Sequence, residues 1–210
     1  MPRISDFSFV PDAGSTSSVH FGDATTFSGE EYVYPTGSGY PLSSDVTGNN
    51  WHISGTIGDY SGFGLSFDEC SRLDASAYGG ISFTISGVVG MGSTVTMDVG
   101  TLDDTVTASW LNAHGGTAAA DAPGFCIPVS GSAYYHPGCA DPTATIPVLA
   151  TPTTVNLRWS DFTGGQPVSA VDANGIVTIF WYFPAPAGAG TSSVATYPVD
   201  ITIDDLKFIQ

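Results

Sequence analysis

At 210 residues the chain is long enough to bury a core of its own, and 42% hydrophobic residues argue against global disorder. A formal net charge of −16 repels nucleic acid and anionic membrane, and it disfavours a strongly anionic polysaccharide unless a cation intervenes. One lysine, three glutamates and two glutamines leave few helix formers among 26 glycines and 14 prolines, which points to an all-β chain.

Ile4-Ser5-Asp6-Phe7-Ser8-Phe9 alternates cleanly and reads as a first strand. The opening Met-Pro-Arg-Ile has no apolar signal-peptide core, so the chain is read as a mature domain with an added start methionine. From Pro11 to Asn50 the Gly, Ser and Asp clusters read mostly as loop, with a Tyr32/Tyr34 pair inside it. Trp51 to Ile57 reads as a strand, and Gly62 to Phe67 as a better one, with Phe63, Leu65 and Phe67 on one face. Leu73 to Tyr78 reads as a turn. Ile81, Phe83 and Ile85 then alternate with Ser82 and Thr84, and Val95, Met97 and Val99 with Thr94, Thr96 and Asp98.

Gly100 to Gly138 reads as a long loop, with weak strand character returning around Tyr134–Tyr135 and Thr143–Val148. Val155, Leu157 and Trp159 alternate with Asn156 and Arg158, and Asp161 to Gly165 turns the chain. Ile176 to Phe183 is the most aromatic run, bounded by Gly175 and by Pro184-Ala185-Pro186. Its alternation puts Ile179, Trp181 and Phe183 on one face and Phe180 and Tyr182 on the other. Val199 to Phe208 is the last strand. Ile201 and Ile203 share a parity that Leu206 and Phe208 break, which predicts a bulge near Asp204–Asp205. Eight or nine strands, no strong helix and no repeat make a β-sandwich, read as one domain over residues 1–210.

Of the three cysteines, Cys126 and Cys139 bracket a Gly/Pro/Ser-rich loop. A disulfide closing it would stabilise by ~3 kcal/mol and imply an oxidising compartment. The odd count leaves the fully reduced alternative open. With the pair bonded, Cys70 is expected to stay free and buried beside Phe67 and Leu73.

Four segments, in order, resemble the β-jelly-roll carbohydrate-binding modules of the galactose-binding-domain type, nearest to the family 11 module and related domains of bacterial secreted proteins. They are Ile4 to Phe7, Leu73 to Phe83, Thr153 to Phe162 and Ile201 to Phe208. The resemblance implies a two-sheet antiparallel jelly roll. It places the Ile81, Val155 and Ile201 strands with the first strand. It places the Gly62 strand, the aromatic strand, the Val95 strand and a Tyr134 strand side by side in a concave second sheet that binds sugar.

Parity then gives that sheet's outward residues: Ser66 and Asp68, Phe180 and Tyr182, and Thr94, Thr96 and Asp98. Aromatic faces stack on the C–H faces of pyranose rings, and carboxylates and hydroxyls bond sugar hydroxyls. The expected glycan site is Asp98, Phe180, Tyr182, Thr96 and Ser66, walled on one side by Tyr134, Tyr135 and His136. The alternative is that a loop covers Phe180 and Tyr182 and leaves them as ordinary core. The same resemblance brings the first and last strands together, so Asp6, Asp204 and Asp205 are expected to hold a structural calcium ion, the alternative being a solvated strand end.

Catalytic chemistry finds little support. Glutamate is nearly absent, no Gly-x-Ser-x-Gly elbow exists, and the four histidines lack metal-ligand spacing. Asp103–Asp104 reads as a solvated turn. The expected function is a non-catalytic carbohydrate-binding module of a secreted bacterial protein, a monomer with a polysaccharide or oligosaccharide partner. The rivals are a glycan lyase or hydrolase using Asp98 and Asp104, and a structural or adhesion module without glycan.

Overall fold

The computed structural model describes residues 3–5, 19–21, 29–34, 39–47, 50–67, 72–132, 135–189 and 194–210. Asp6, Asp68, Cys70 and Tyr134, named in the expectations above, lie outside them. Strands are numbered in chain order. One sheet contains β1 (Arg3–Ser5), β4 (Leu42–Thr47), β5 (Asn50–Ile57), β7 (Gly80–Val89), β10 (Thr153–Arg158) and β12 (Tyr197–Ile209). Its order is β10-β7-β12-β5-β4, with β1 on β12. The other contains β2 (Val19–Phe21), β3 (Gly29–Tyr34), β6 (Gly62–Phe67), β8 (Thr94–Thr101), β9 (Thr143–Pro147) and β11 (Ile176–Tyr182), in the order β2-β3-β6-β11-β8-β9. Every named strand pair is antiparallel. This is the β-jelly-roll sandwich expected from the sequence.

The core lies between the sheets and is aromatic at its centre. Trp181 of β11 and Phe63 of β6 stack with ring centroids 5.4 Å apart. From the opposite sheet Trp51 meets Phe63 edge-on at 5.1 Å, and Phe83 meets Trp181 edge-on at 5.5 Å. Such offset and edge-to-face pairs add to the burial of large rings. Ile201 and Ile203 of β12, each fully buried, fill the same layer. The predicted bulge is present: the β12–β7 register shifts between Asp204 and Lys207, and Asp205 takes a left-handed backbone with φ 51°. The extra residue carries Leu206 and Phe208 back to the core face, where both are buried.

The segment read as loop from Pro11 to Asn50 instead carries three strands. In β3 the run Gly-Glu-Glu-Tyr-Val-Tyr hides its alternation behind two charged residues. In β4 only Leu42 and Val46 turn inward, and Ser44, on the same parity, accepts the Trp51 indole N–H at 2.8 Å. The fourth strand beside β8 is β9 rather than the Tyr134 region. Among the described residues there are thus twelve strands, not eight or nine. The segment expected as loop after β8 also contains one short helix, α1 (Ala108–Ala113), whose first turn is capped by the Thr107 side chain accepting from the Trp110 N–H. Val106, Trp110 and Leu111 pack there around the disulfide Cys126–Cys139, which the structure contains.

Candidate functional site

The face of the second sheet that points away from the core is organised in rows by the strand register. One row runs Tyr32 (β3), Gly64 (β6), Phe180 (β11), Asp98 (β8), Thr143 (β9). The next runs Gly62 (β6), Tyr182 (β11), Thr96 (β8), Thr145 (β9). A third sets Ser66 opposite Thr178 and Thr178 opposite Gly100. The outward parity expected for Ser66, Thr96, Asp98, Phe180 and Tyr182 therefore holds, and all five are half-buried while Trp181 between them is sealed in the core.

Phe180 lies flat because β6 offers no side chains beneath it. A Cβ at Gly64 would meet Phe180 Cδ2 at 2.6 Å, and one at Gly62 would meet Phe180 Cζ at 2.5 Å. The ring thus rests on bare backbone. Tyr32 stacks beside it across β6 with centroids 5.7 Å apart and planes 19° apart, and Tyr182, two residues along β11, follows at 6.3 Å and 25°. Three rings from two strands make a nearly level aromatic strip.

Beside the strip is a pocket of about 290 Å³ lined by Tyr32, Asp98, Asp141, Thr178 and Phe180. Asp141 precedes β9 and reaches over Gly100, whose absent side chain leaves room: a Cβ there would lie 3.5 Å from Asp141 Oδ2 and 2.2 Å from Thr178 Oγ1. Oδ1 of Asp98 and Oδ1 of Asp141 are both sealed from solvent and have no hydrogen-bond partner. Burial first, and the charge of Asp141 second, push the Asp98 carboxyl well above the usual carboxylate range. The Asp141 carboxyl is pushed up to about 6 by burial, raised further by Asp104 and lowered by His136. The Tyr32 hydroxyl is raised by burial and then by both aspartates, and the Tyr182 hydroxyl by burial and then by Asp98. Two acids and two phenols thus converge on one spot without a salt bridge to either acid among the described residues.

Three pocket residues stand outside the site expected from the sequence: Tyr32, in a segment that reads as loop, Thr178, and Asp141, which has no signal beyond standing before Pro142 and a weak strand. Tyr135 is 70% exposed and is not among the residues that line the pocket. His136 acts on it only through its effect on Asp141, its own Nδ1 lying 3.0 Å from the Cys139 carbonyl. Asp104 is not a solvated turn residue: it is 2% exposed, accepting from the Val168 N–H at 3.1 Å and the Thr101 hydroxyl at 3.0 Å. It clasps a loop, so the acid facing the pocket with Asp98 is Asp141 and not Asp104.

At the β12 bulge, Asp204 accepts the Asp205 N–H at 2.6 Å, and Lys207 Nζ pairs with Asp205. Two of the three carboxylates expected to hold calcium are thus present together, one of them paired with the Lys207 ammonium. Among the described residues no group of three acidic, histidine or cysteine side chains is arranged to hold a metal.

No family profile matches the sequence, and no curated protein matches it. Solved structures do resemble it in fold. The family 11 carbohydrate-binding module of a cellulosomal cellulase of Clostridium thermocellum superposes with a TM-score of 0.52 at 16% identity, covering 99% of this chain and 93% of that one. The family 30 carbohydrate-binding module of another Clostridium thermocellum cellulosomal cellulase gives 0.52 at 13% identity, covering 100% and 98%. A second family 30 module structure gives 0.51 at 14%, covering 99% of each chain. The likeness extends over nearly the whole of this chain and is one of fold, the two-sheet jelly roll.

Proposed function

We propose that this protein binds a glycan on the aromatic strip of its second sheet and does not cleave it. The observation that carries the reading is the nearly level set of rings Tyr32, Phe180 and Tyr182 on partly exposed strands, flanked by acids that can accept from sugar hydroxyls. Rings held flat by Gly62 and Gly64 offer pyranose C–H faces a stacking surface with no ordering cost on binding. The fold shared with carbohydrate-binding modules supports the same reading, and the disulfide fits a secreted bacterial protein acting outside the cell. We further propose a structural calcium at the β12 bulge, for which Asp204 and Asp205 supply two carboxylates and Asp6 the third.

Affinity electrophoresis through gels containing soluble polysaccharides tests the main reading. Retardation by at least one glycan is expected, lost in Phe180→Ala. Migration unaffected by every polysaccharide removes the proposal. A parallel assay for reducing ends or unsaturated products is expected to stay at background. Product formation dependent on Asp98 and Asp141 would instead make the pocket an active site.

A further inference from the structure

Within the glycan-binding reading, on which it rests, the pocket beside the strip indicates what kind of sugar is bound. Its acids are in an unusual state for a surface that meets neutral sugars. Asp98 and Asp141 each carry an Oδ1 without a partner and sealed from solvent, and no cationic side chain among the described residues forms a salt bridge with either. The chain has only four Lys and Arg residues against twenty Asp and Glu. Lys207 pairs with Asp205, and Arg158 stands on β10 in the other sheet. Among the described residues no side chain supplies the missing counter-charge.

We propose that the ligand brings it: the pocket receives the ammonium group of an amino sugar, and the glycan bound is a cationic polymer of 2-amino-2-deoxy sugars. Three features favour an ammonium over a metal ion. Its three N–H donors need three acceptors, not the six to eight oxygens of calcium, and Asp98, Asp141 and the Thr178 hydroxyl offer that number. Tyr32 and Phe180 present aromatic surface to the same pocket, where a cation is attracted by the ring quadrupole. The pocket opens beside a strip suited to the adjoining ring, so one sugar unit can stack and place its amine at once. At longer range the net charge of −16 draws a polycation in. The charged and titratable groups around the pair are Tyr32 from β3, Tyr182 from β11, Asp104 from the loop after β8 and His136 from the disulfide loop. Of these only His136 lowers the acid it faces. An arriving ammonium favours the ionised acids, so a proton held by the pair is released to solvent as the amine binds.

Calorimetry on the full chain just below neutral pH tests this with three probes: a glucosamine hexamer, its fully N-acetylated counterpart and a neutral glucose hexamer of the same linkage. The glucosamine hexamer should bind about tenfold tighter or better than the other two. Its binding heat should vary with the ionisation enthalpy of the buffer, as proton release requires. Asp98→Asn and Asp141→Asn should each abolish the preference while near-UV dichroism shows the fold intact. Equal or tighter binding of the neutral or acetylated hexamer overturns the amine proposal and leaves glycan binding standing. Failure of all three probes, with no retardation by any polysaccharide, sinks both. A preference that survives in the double asparagine variant assigns it to overall charge and overturns the site. Calcium titrating into the pocket, with glycan binding lost on chelation, replaces the ammonium by a metal.

Discussion

Replacing Trp181 by alanine removes an indole packed between Phe63 and the edges of Phe83 and Trp51, and should destabilise by ~3–5 kcal/mol, read from chemical denaturation. Its sequence neighbours behave oppositely. Phe180→Ala and Tyr182→Ala should leave the denaturation midpoint nearly unmoved and weaken glycan binding by ~2 kcal/mol each. A Tyr182→Ala protein that unfolds while Trp181→Ala is benign would reverse the assignment of faces. That assignment was legible, since strand alternation alone separates the two sets. Asp141 was not, because an acid before a proline reads as loop until β9 and Gly100 bring it over the sheet. Its burial carries a pH signature. The carboxyl moves from an ordinary 3.8 to about 6 on folding, so the native state binds more protons than the unfolded state between those values. Stability therefore falls as pH rises through that window. Asp141→Asn should flatten the slope and stabilise the free protein near pH 7 by roughly 2–3 kcal/mol at 1.36 kcal/mol per pH unit. A stability profile unchanged by the substitution would show that Asp141 titrates normally.

At the scale of elements, β6 decides how the strip lies. Gly64→Val places methyl groups where the Phe180 ring rests, within the 2.6 Å a Cβ alone would reach. The ring must tip away, so binding should drop at least as far as in Phe180→Ala, with the sandwich intact by circular dichroism. Retained affinity would show that ring orientation is immaterial. The β6–β11–β8 core of the sheet was readable because each strand alternates strongly. β3 and β4 were not, since Glu30 and Glu31 interrupt the apolar pattern of the one and the other offers only Leu42 and Val46. At β12 the broken parity of Leu206 and Phe208 did reveal the bulge. Calcium there is tested by melting: excess chelator should lower the transition temperature without loss of β structure, and Asp205→Ala should make it indifferent to chelator. An unchanged curve in the wild type leaves Lys207 as the cation that holds the bulge.

Across the whole molecule, the excursion between β8 and β9 is closed on itself by Cys126–Cys139, with Asp141 two residues beyond the second sulfur. Opening this thirteen-residue separation should cost ~3 kcal/mol, measured by comparing Cys126→Ser/Cys139→Ser with the parent. It should also loosen the entry to β9, and so erode the preference for the amine ligand more than binding to the strip itself. Equal loss of both would mean that the excursion supports the sheet as a whole and not the pocket. The β-sandwich was legible in the alternation of the strong strands, while the jelly-roll order followed from the resemblance of four segments to carbohydrate-binding modules. The site was half legible, because a pocket between elements 43 residues apart in sequence, from Asp98 to Asp141, is written in register and not in any local pattern.

The placement of tryptophan has an optical consequence. All four indoles lie off the aromatic strip: Trp51 and Trp181 are sealed in the core, Trp110 sits on α1, and Trp159 leans on Phe208 with its N–H bonded to the Tyr78 carbonyl. The strip is phenylalanine and tyrosine only. Tryptophan emission should therefore be silent when a sugar stacks and loud when the sandwich opens. Binding will be seen instead in tyrosine difference absorbance or in ring proton shifts of Tyr32 and Tyr182. One sample can then report occupancy and unfolding at separate wavelengths, with no label attached.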